Sequence, residues 1–336
     1  MHPSEFLLCL GTMNFGDVYT GRMGECSKET AFKILDHFVS TGGNFIDTAN
    51  AYQAGQTEEW LGEWTTARQN RDDLVIATEY SGPYKPIDGI SSITTNRGGN
   101  GIKSMRLSLE ASLWELHVDI LYVHWWDYTT TIPELMHGLN DLITSGKVLY
   151  LSMWNASMRD FERDIIPMRH DEGMGICPYG ILNQGRFQTE EGFKAREQNN
   201  EGRKHTPLSD NDKAVSRVLE QTALSLEPPT AITDVALSYV MQKAPFVLPI
   251  VGGRKLGHIE NNIRGLSVTL TGDDIGRIDT ASPFNPGFPH TFLSRSLLEG
   301  TDAPQRGACV PGEVWLLKSL GTMDFHTRLT PLKTPS

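Results

Sequence analysis

Short apolar runs rich in β-formers alternate with helix-period stretches from the first residues to about residue 280, and this alternation constrains the fold more than any other feature of the chain. Seven runs read as strands, at residues 7–13, 44–49, 74–80, 120–126, 147–153, 175–181 and 246–252. Between the first two, Ala31, Ile34, Leu35 and Phe38 make one apolar helix face behind Ser27, a plausible N-cap. Leu61 and Trp64 mark a second helix over 57–68, and Ile102, Met105, Leu109, Leu113 and Leu116 a third. Ile132, Leu135, Leu139 and Leu142 mark a fourth, stopped at Ser145-Gly146. Strands joined through helices need crossover connections, so the sheet is parallel, either closed as a barrel or open and doubly wound. Periodicity alone does not choose.

The 336 residues are 39% hydrophobic and 21% charged, enough apolar content for a real core. Against 41 Asp and Glu there are 30 Lys and Arg, a net charge of −11, so no basic footprint for nucleic acid or an anionic membrane is present. Cys9, Cys26, Cys177 and Cys309 form no Cys-x-x-Cys pair and no metal-like spacing, so they read as reduced thiols and no metal site is expected. No run approaches 18 apolar residues and the start lacks a secretory pattern, which points to the cytoplasm and makes the Asn155-Ala156-Ser157 triplet a chance glycosylation match. Residues 81–100 and 186–210 break the rhythm and read as binding loops or as surface insertions. A barrel or sheet domain is expected over 1–285, with 286–336 as a tail packed on it.

Asp47 ends an apolar strand run, and Tyr52 follows in the next loop, the face where parallel α/β folds build active sites. His124 follows another apolar run, 121–123, where a histidine is either structural or functional. A phenol can donate the proton that a carbonyl needs when hydride adds to it, so Tyr52 and His124 form a conceivable pair for carbonyl chemistry.

The string D-T-A-N-A-Y at 47–52 occurs with G-T-M-N-F-G at 11–16, L-Y-V-H-W-W-D at 121–127 and G-G-R-K-L-G-H-I-E-N-N-I at 252–263. Together, in that order and over nearly the whole chain, they resemble the aldo-keto reductases, and within them the fungal aryl-alcohol dehydrogenase and norsolorinic acid reductase branch. The resemblance implies a (β/α)8 barrel and NADP(H) bound without a Rossmann motif. It implies reduction of an aromatic or polyketide-type aldehyde or ketone to the alcohol in fungal secondary metabolism. The substrate is then a small molecule; the oligomeric state is left open. In the family's tetrad Tyr is the general acid, Asp and Lys lower its pKa, and His orients the carbonyl. Asp47, Tyr52 and His124 match three of the four.

The fourth does not match. Where the family reads I-A-T-K-Y this chain reads Ile76-Ala77-Thr78-Glu79-Tyr80, a reversal of charge. An ammonium favours the phenolate, whereas a carboxylate disfavours it and repels Asp47. A protonated Glu79 in a dry site would be a proton donor in its own right. Lys85 lies in the following loop, a poor geometric substitute. A second departure is an omission: 146–152 runs straight into Met153-Trp154-Asn155, skipping about one βα unit of roughly 30 residues. The skipped piece is where the family holds the nicotinamide carboxamide. These departures keep two alternatives open: a scaffold that binds nucleotide or metabolite without redox turnover, and non-redox proton chemistry such as dehydration or isomerisation.

Other cofactor features persist. Tyr179, Leu182, Gly185 and Arg186 match the family's nicotinamide-stacking and pyrophosphate loop, and Gly11, Thr12, Met13, Asp47 and Ser152 are placed beside the cofactor by the same resemblance. Gly252 and Gly253 lead from a strand into Arg254 and Lys255 at a helix start, with His258 and Asn262 one and two turns on. Helix N-terminal amides with two cations suit an adenosine 2′-phosphate.

Overall fold

The computed structural model describes residues 7–83, 96–153, 165–199 and 208–283. Its strands are β1 (Cys9–Gly11), β2 (Phe45–Asp47), β3 (Val75–Tyr80), β4 (Ile120–Val123), β5 (Tyr150–Met153) and β6 (Ile250–Gly252). All pair in parallel, in the order β5-β4-β3-β2-β1-β6. The helices are α1 (Thr20–Met23), α2 (Lys28–Ser40), α3 (Gln56–Arg68), α4 (Ile102–Leu116), α5 (Ile132–Thr144), α6 (Ile166–Asp171), α7 (Glu190–Asn199), α8 (Asp210–Ser225), α9 (Ile232–Lys243), α10 (Leu256–Gly265) and α11 (Gly272–Ala281).

Each expected amphipathic helix forms for the expected reason. Ser27 accepts from the Thr30 N–H at the start of α2, and Thr131 accepts from Glu134 at the start of α5. Ile34, Leu35 and Phe38 of α2, Leu61 and Trp64 of α3, Met105 and Leu109 of α4, and Leu139 and Leu142 of α5 are buried in one cluster with Leu8, Leu10, Ile46 and Ile76 of the sheet. A second cluster under α8, α9 and α11 holds Leu219, Val235 and Ile278. The strand period of two divides β3 cleanly. Thr78 points to the helix layer, where it and Ser112 donate hydrogen bonds of 2.6 and 3.0 Å to the buried Glu58 of α3, leaving Ala77 and Glu79 for the opposite, interior face.

Two expectations need correction. The run 175–181 is not a ladder strand. It makes a single parallel bridge, Ile176 to Val247, and Pro178 accepts from the Ile250 N–H but has none of its own to donate. Gly180 then turns at φ +66°. The stretch 186–210 is not one loop, since α7 occupies 190–199, with Thr189 accepting from the Gly192 N–H and Glu190 and Glu191 in its first turn. Its polar composition hid it, because periodicity detects only helices with an apolar face.

Segment 176–178 lies outside β6, so six strands and this segment fill seven places and β5 ends the sheet order among the described residues. The place of an eighth strand falls between them. Lys85, most of 81–100, the Asn155 triplet, Cys309 and the expected tail 286–336 lie outside the described residues.

Candidate active site

The carboxyl ends of the strands converge on one cavity of about 770 Å³. Asp47 is the last residue of β2, Glu79 sits one residue before the end of β3, and His124 directly follows β4. Main-chain bonds fix these ends together. Thr12 donates through both its N–H and its hydroxyl to the Asp47 carbonyl, at 3.0 and 2.8 Å, and the Asn50 and His124 N–H groups donate to the Glu79 and Tyr80 carbonyls. Tyr52 opens a tight turn in which Gln53 and Ala54 take φ of 48° and 59°, held by Gln53 accepting from the Tyr19 N–H at 2.7 Å.

Asp47, Tyr52 and His124 line the cavity, and Glu79 is buried against them. The His124 Nδ1 stands 3.0 Å from Glu79 Oε2, and the Tyr52 hydroxyl faces the same carboxyl, whose two oxygens are buried without a hydrogen bond of regular geometry among the described residues. Asp47 Oδ2 is buried with no hydrogen-bond partner among the described residues. Burial holds the Asp47 carboxyl well above the usual carboxylate range. Burial first, and Asp47 second, push Glu79 up to about 9, while the nearby Tyr52 hydroxyl pulls the other way. Burial, then Asp47 and Glu79, raise the Tyr52 phenol, and burial lowers His124. At neutral pH Glu79 is then a carboxylic acid and His124 a neutral imidazole.

The far end of the cavity is built differently. Gly252, exposed, and Gly253, buried, join β6 to α10 along the cavity wall; a Cβ on Gly253 would stand 2.5 Å from His258 Cβ, and one on Gly252 3.0 Å from the Gly11 carbonyl oxygen. Arg254, His258 and Asn262 line this end. The Asn262 Nδ2 is a buried donor with no partner among the described residues. Burial, then Arg254 and Lys255, lower His258. A cradle of glycine backbone, an arginine and an unpaired amide donor fits an anionic nucleotide.

Of the other residues the sequence pointed to, Gly11, Met13, Tyr179, Leu182 and Gly185 line the cavity. Thr12, Ser152, Arg186 and Lys255 are not among its lining. Thr12 anchors Asp47, Ser152 pairs with Tyr122 in the sheet, and Lys255 occupies the N-cap position of α10. Arg186 is paired with Asp212 at 2.6 Å. Sequence reasoning missed Asn14, Arg22, Met23, Gln184, Gln188, Thr233 and Asn261, which also line it. Asn14 and Asn261 carried a signal, lying inside the strings at 11–16 and 252–263, as did Gln184, which lies beside Gly185 in the cofactor loop.

The family model described as "Aldo/keto reductase family" matches residues 7–163 and 152–283. The chain belongs to the aldo/keto reductase family. The match comes in two pieces that meet where 146–152 runs into Met153-Trp154-Asn155, the point of the skipped unit. Norsolorinic acid reductase B of Dothistroma septosporum is 53% identical over 350 aligned residues, covering 95% of this chain and 88% of that protein. That alignment is longer than the 336-residue chain, so the relative carries residues this chain skips. Aryl-alcohol dehydrogenase [NADP(+)] of Phanerodontia chrysosporium is 41% identical, with 84% of each chain covered. The glycerol dehydrogenase structure from Gluconobacter oxydans superposes with a TM-score of 0.64 over 84% of this chain and 94% of that one at 20% identity, a likeness of fold. The family is one of nicotinamide-dependent oxidoreductases built on the (β/α)8 barrel, and this aldo/keto reductase carries a carboxylate on β3, with six strands in the sheet among its described residues.

Proposed function

We propose that this aldo/keto reductase reduces an aromatic or polyketide-type ketone or aldehyde to the alcohol with NADPH, in fungal secondary metabolism. The observation that carries the reading is the shared cavity: a phenol, a histidine and a buried carboxyl at one end, a glycine-floored cationic cradle at the other. Arg254, His258 and Asn262 would hold the adenosine phosphate end, and Tyr179 and Asp47 would face the ring, whose hydride the cofactor supplies when bound. Tyr52 gives its hydroxyl proton to the carbonyl oxygen as negative charge develops there, and His124 orients that oxygen. Trp125, whose ring centroid lies 4.6 Å from that of His124, and Trp126 are each more than one-third exposed and offer flat faces to an aromatic substrate. The relatives named as norsolorinic acid reductases and as an NADP(+) aryl-alcohol dehydrogenase support both substrate class and cofactor.

The test is NADPH consumption by the purified protein with norsolorinic acid and with an aromatic aldehyde, the alcohol identified by mass spectrometry. Turnover with NADPH exceeding that with NADH is expected. The carboxylate in place of the ammonium favours a second reading, binding without turnover. NADPH binding with no alcohol formed from either substrate would establish that reading and overturn the first.

A further inference from the structure

Two carboxyl groups, on adjacent strands and both turned to the barrel interior, share one dry site. The groups that face Glu79 are Asp47 from β2, Tyr52 from the turn after it, His124 from the end of β4 and Tyr179 from the loop after segment 175–178. None is a fixed cation. Two carboxylates this close, with no cation between them, cannot both ionise, so the pair retains a proton. Glu79 is placed to use it. It touches Tyr52 on one side and His124 on the other, and His124 is 32% exposed, so the chain of contacts runs from the phenol to solvent. A carboxylic acid can give a proton from one oxygen and accept one on the other.

We propose that Glu79 is a relay residue that reprotonates Tyr52 after each carbonyl reduction and is itself recharged through His124. The Tyr52 O–H breaks as its proton passes to the carbonyl oxygen, leaving a phenolate. The Glu79 O–H then breaks and the Tyr52 O–H re-forms. His124 first takes one proton from solvent on its other ring nitrogen; the Nδ1–H of that imidazolium then breaks to restore Glu79 and leaves His124 neutral, so each alcohol formed consumes one solvent proton. Both internal transfers run downhill, since the phenol is more basic than Glu79 and Glu79 more basic than His124. The position that a family lysine would use to favour the phenolate instead carries an acid that removes it. The relay rests on the reductase reading given above.

The test has one readout that turnover cannot confuse. Infrared difference spectra of the cofactor-free protein in deuterated buffer report protonated carboxyls directly. At pH 7 the parent should show a carboxylic acid band that Glu79→Gln lacks, and that band should fade as pH rises through about 9. In steady state, Glu79→Gln should lower kcat by about 10²-fold with KM little changed, and should lose the alkaline limb that the parent shows near the same pH. Glu79→Asp, which keeps the acid, should recover part of the rate. Glu79→Gln with the parent's kcat and pH profile would overturn the relay, as would Glu79→Lys reducing faster than the parent. If the parent forms no alcohol the reductase reading fails, and the infrared spectrum alone then decides: an unchanged acid band in Glu79→Gln overturns the assignment of the proton to Glu79.

Discussion

Arg254 and Lys255 are neighbours in sequence but not in setting. Arg254 lines the cavity, and its guanidinium packs on Gly24, where a Cβ would stand 2.9 Å from it; Lys255 sits at the N-cap position of α10 outside the lining. Arg254→Ala should therefore weaken NADPH by about 10-fold or more and NADH hardly at all, a charge-assisted contact being worth about 1.5–3 kcal/mol, while Lys255→Ala does less. Fluorescence titration with both cofactors measures it; equal losses for NADPH and NADH would remove Arg254 from the phosphate. His258, held below its ordinary value of 6.5 by burial and two cations, would gain a proton partner in a bound phosphate, so NADPH affinity should rise as pH falls through that range while NADH affinity stays flat. The positions of Asp47, Glu79 and His124 at the cavity were legible because they stand at or beside strand ends, and that of Tyr52 because it follows the end of β2 by five residues in the same string. Arg22, Gln188 and Thr233 were not, because a loop or helix-start side chain reaches the cavity only through tertiary packing.

The loop Pro178–Arg186 shows how an element shapes a site from behind. Asn183, Gln184 and Gly185 all take positive φ, of 47°, 55° and 83°, a path that needs external support. Asp212 of α8 supplies it, accepting from Asn183 Nδ2 at 2.8 Å and Arg186 Nη2 at 2.6 Å while also completing the capping box with Ser209. Arg186, expected at the pyrophosphate, thus holds the loop. Asp212→Ala should weaken NADPH about 3- to 10-fold and raise amide exchange at 180–186, with only about 1 kcal/mol lost from the cap. Unchanged exchange there would refute the buttress. The helices with apolar faces, α2 to α5, were readable from spacing; α7 was not, since it presents none. The run 175–181 read as a strand because its composition is apolar, yet Pro178 and Gly180 leave it one bridge.

The whole molecule is a barrel family member with seven strand places filled among its described residues, and the omission was legible in the sequence because 146–152 runs straight into Met153-Trp154-Asn155, where the family resemblance implies a further βα unit. β5 ends the sheet order among the described residues. Yet Asp47, Glu79, Tyr52 and His124 hang on β2, β3 and β4, on the paired side of the sheet, and the cationic cradle hangs on β6 beside β1. On the proposed function, this paired part of the sheet suffices for carbonyl reduction with Tyr52 as the acid. The most direct measurement is kcat for NADPH-dependent reduction of an aromatic carbonyl by the parent and by Tyr52→Phe, with NADPH affinity measured alongside. A drop of about 10² or more in kcat with cofactor binding unchanged is the predicted result. A Tyr52→Phe protein that reduces as fast as the parent would contradict it.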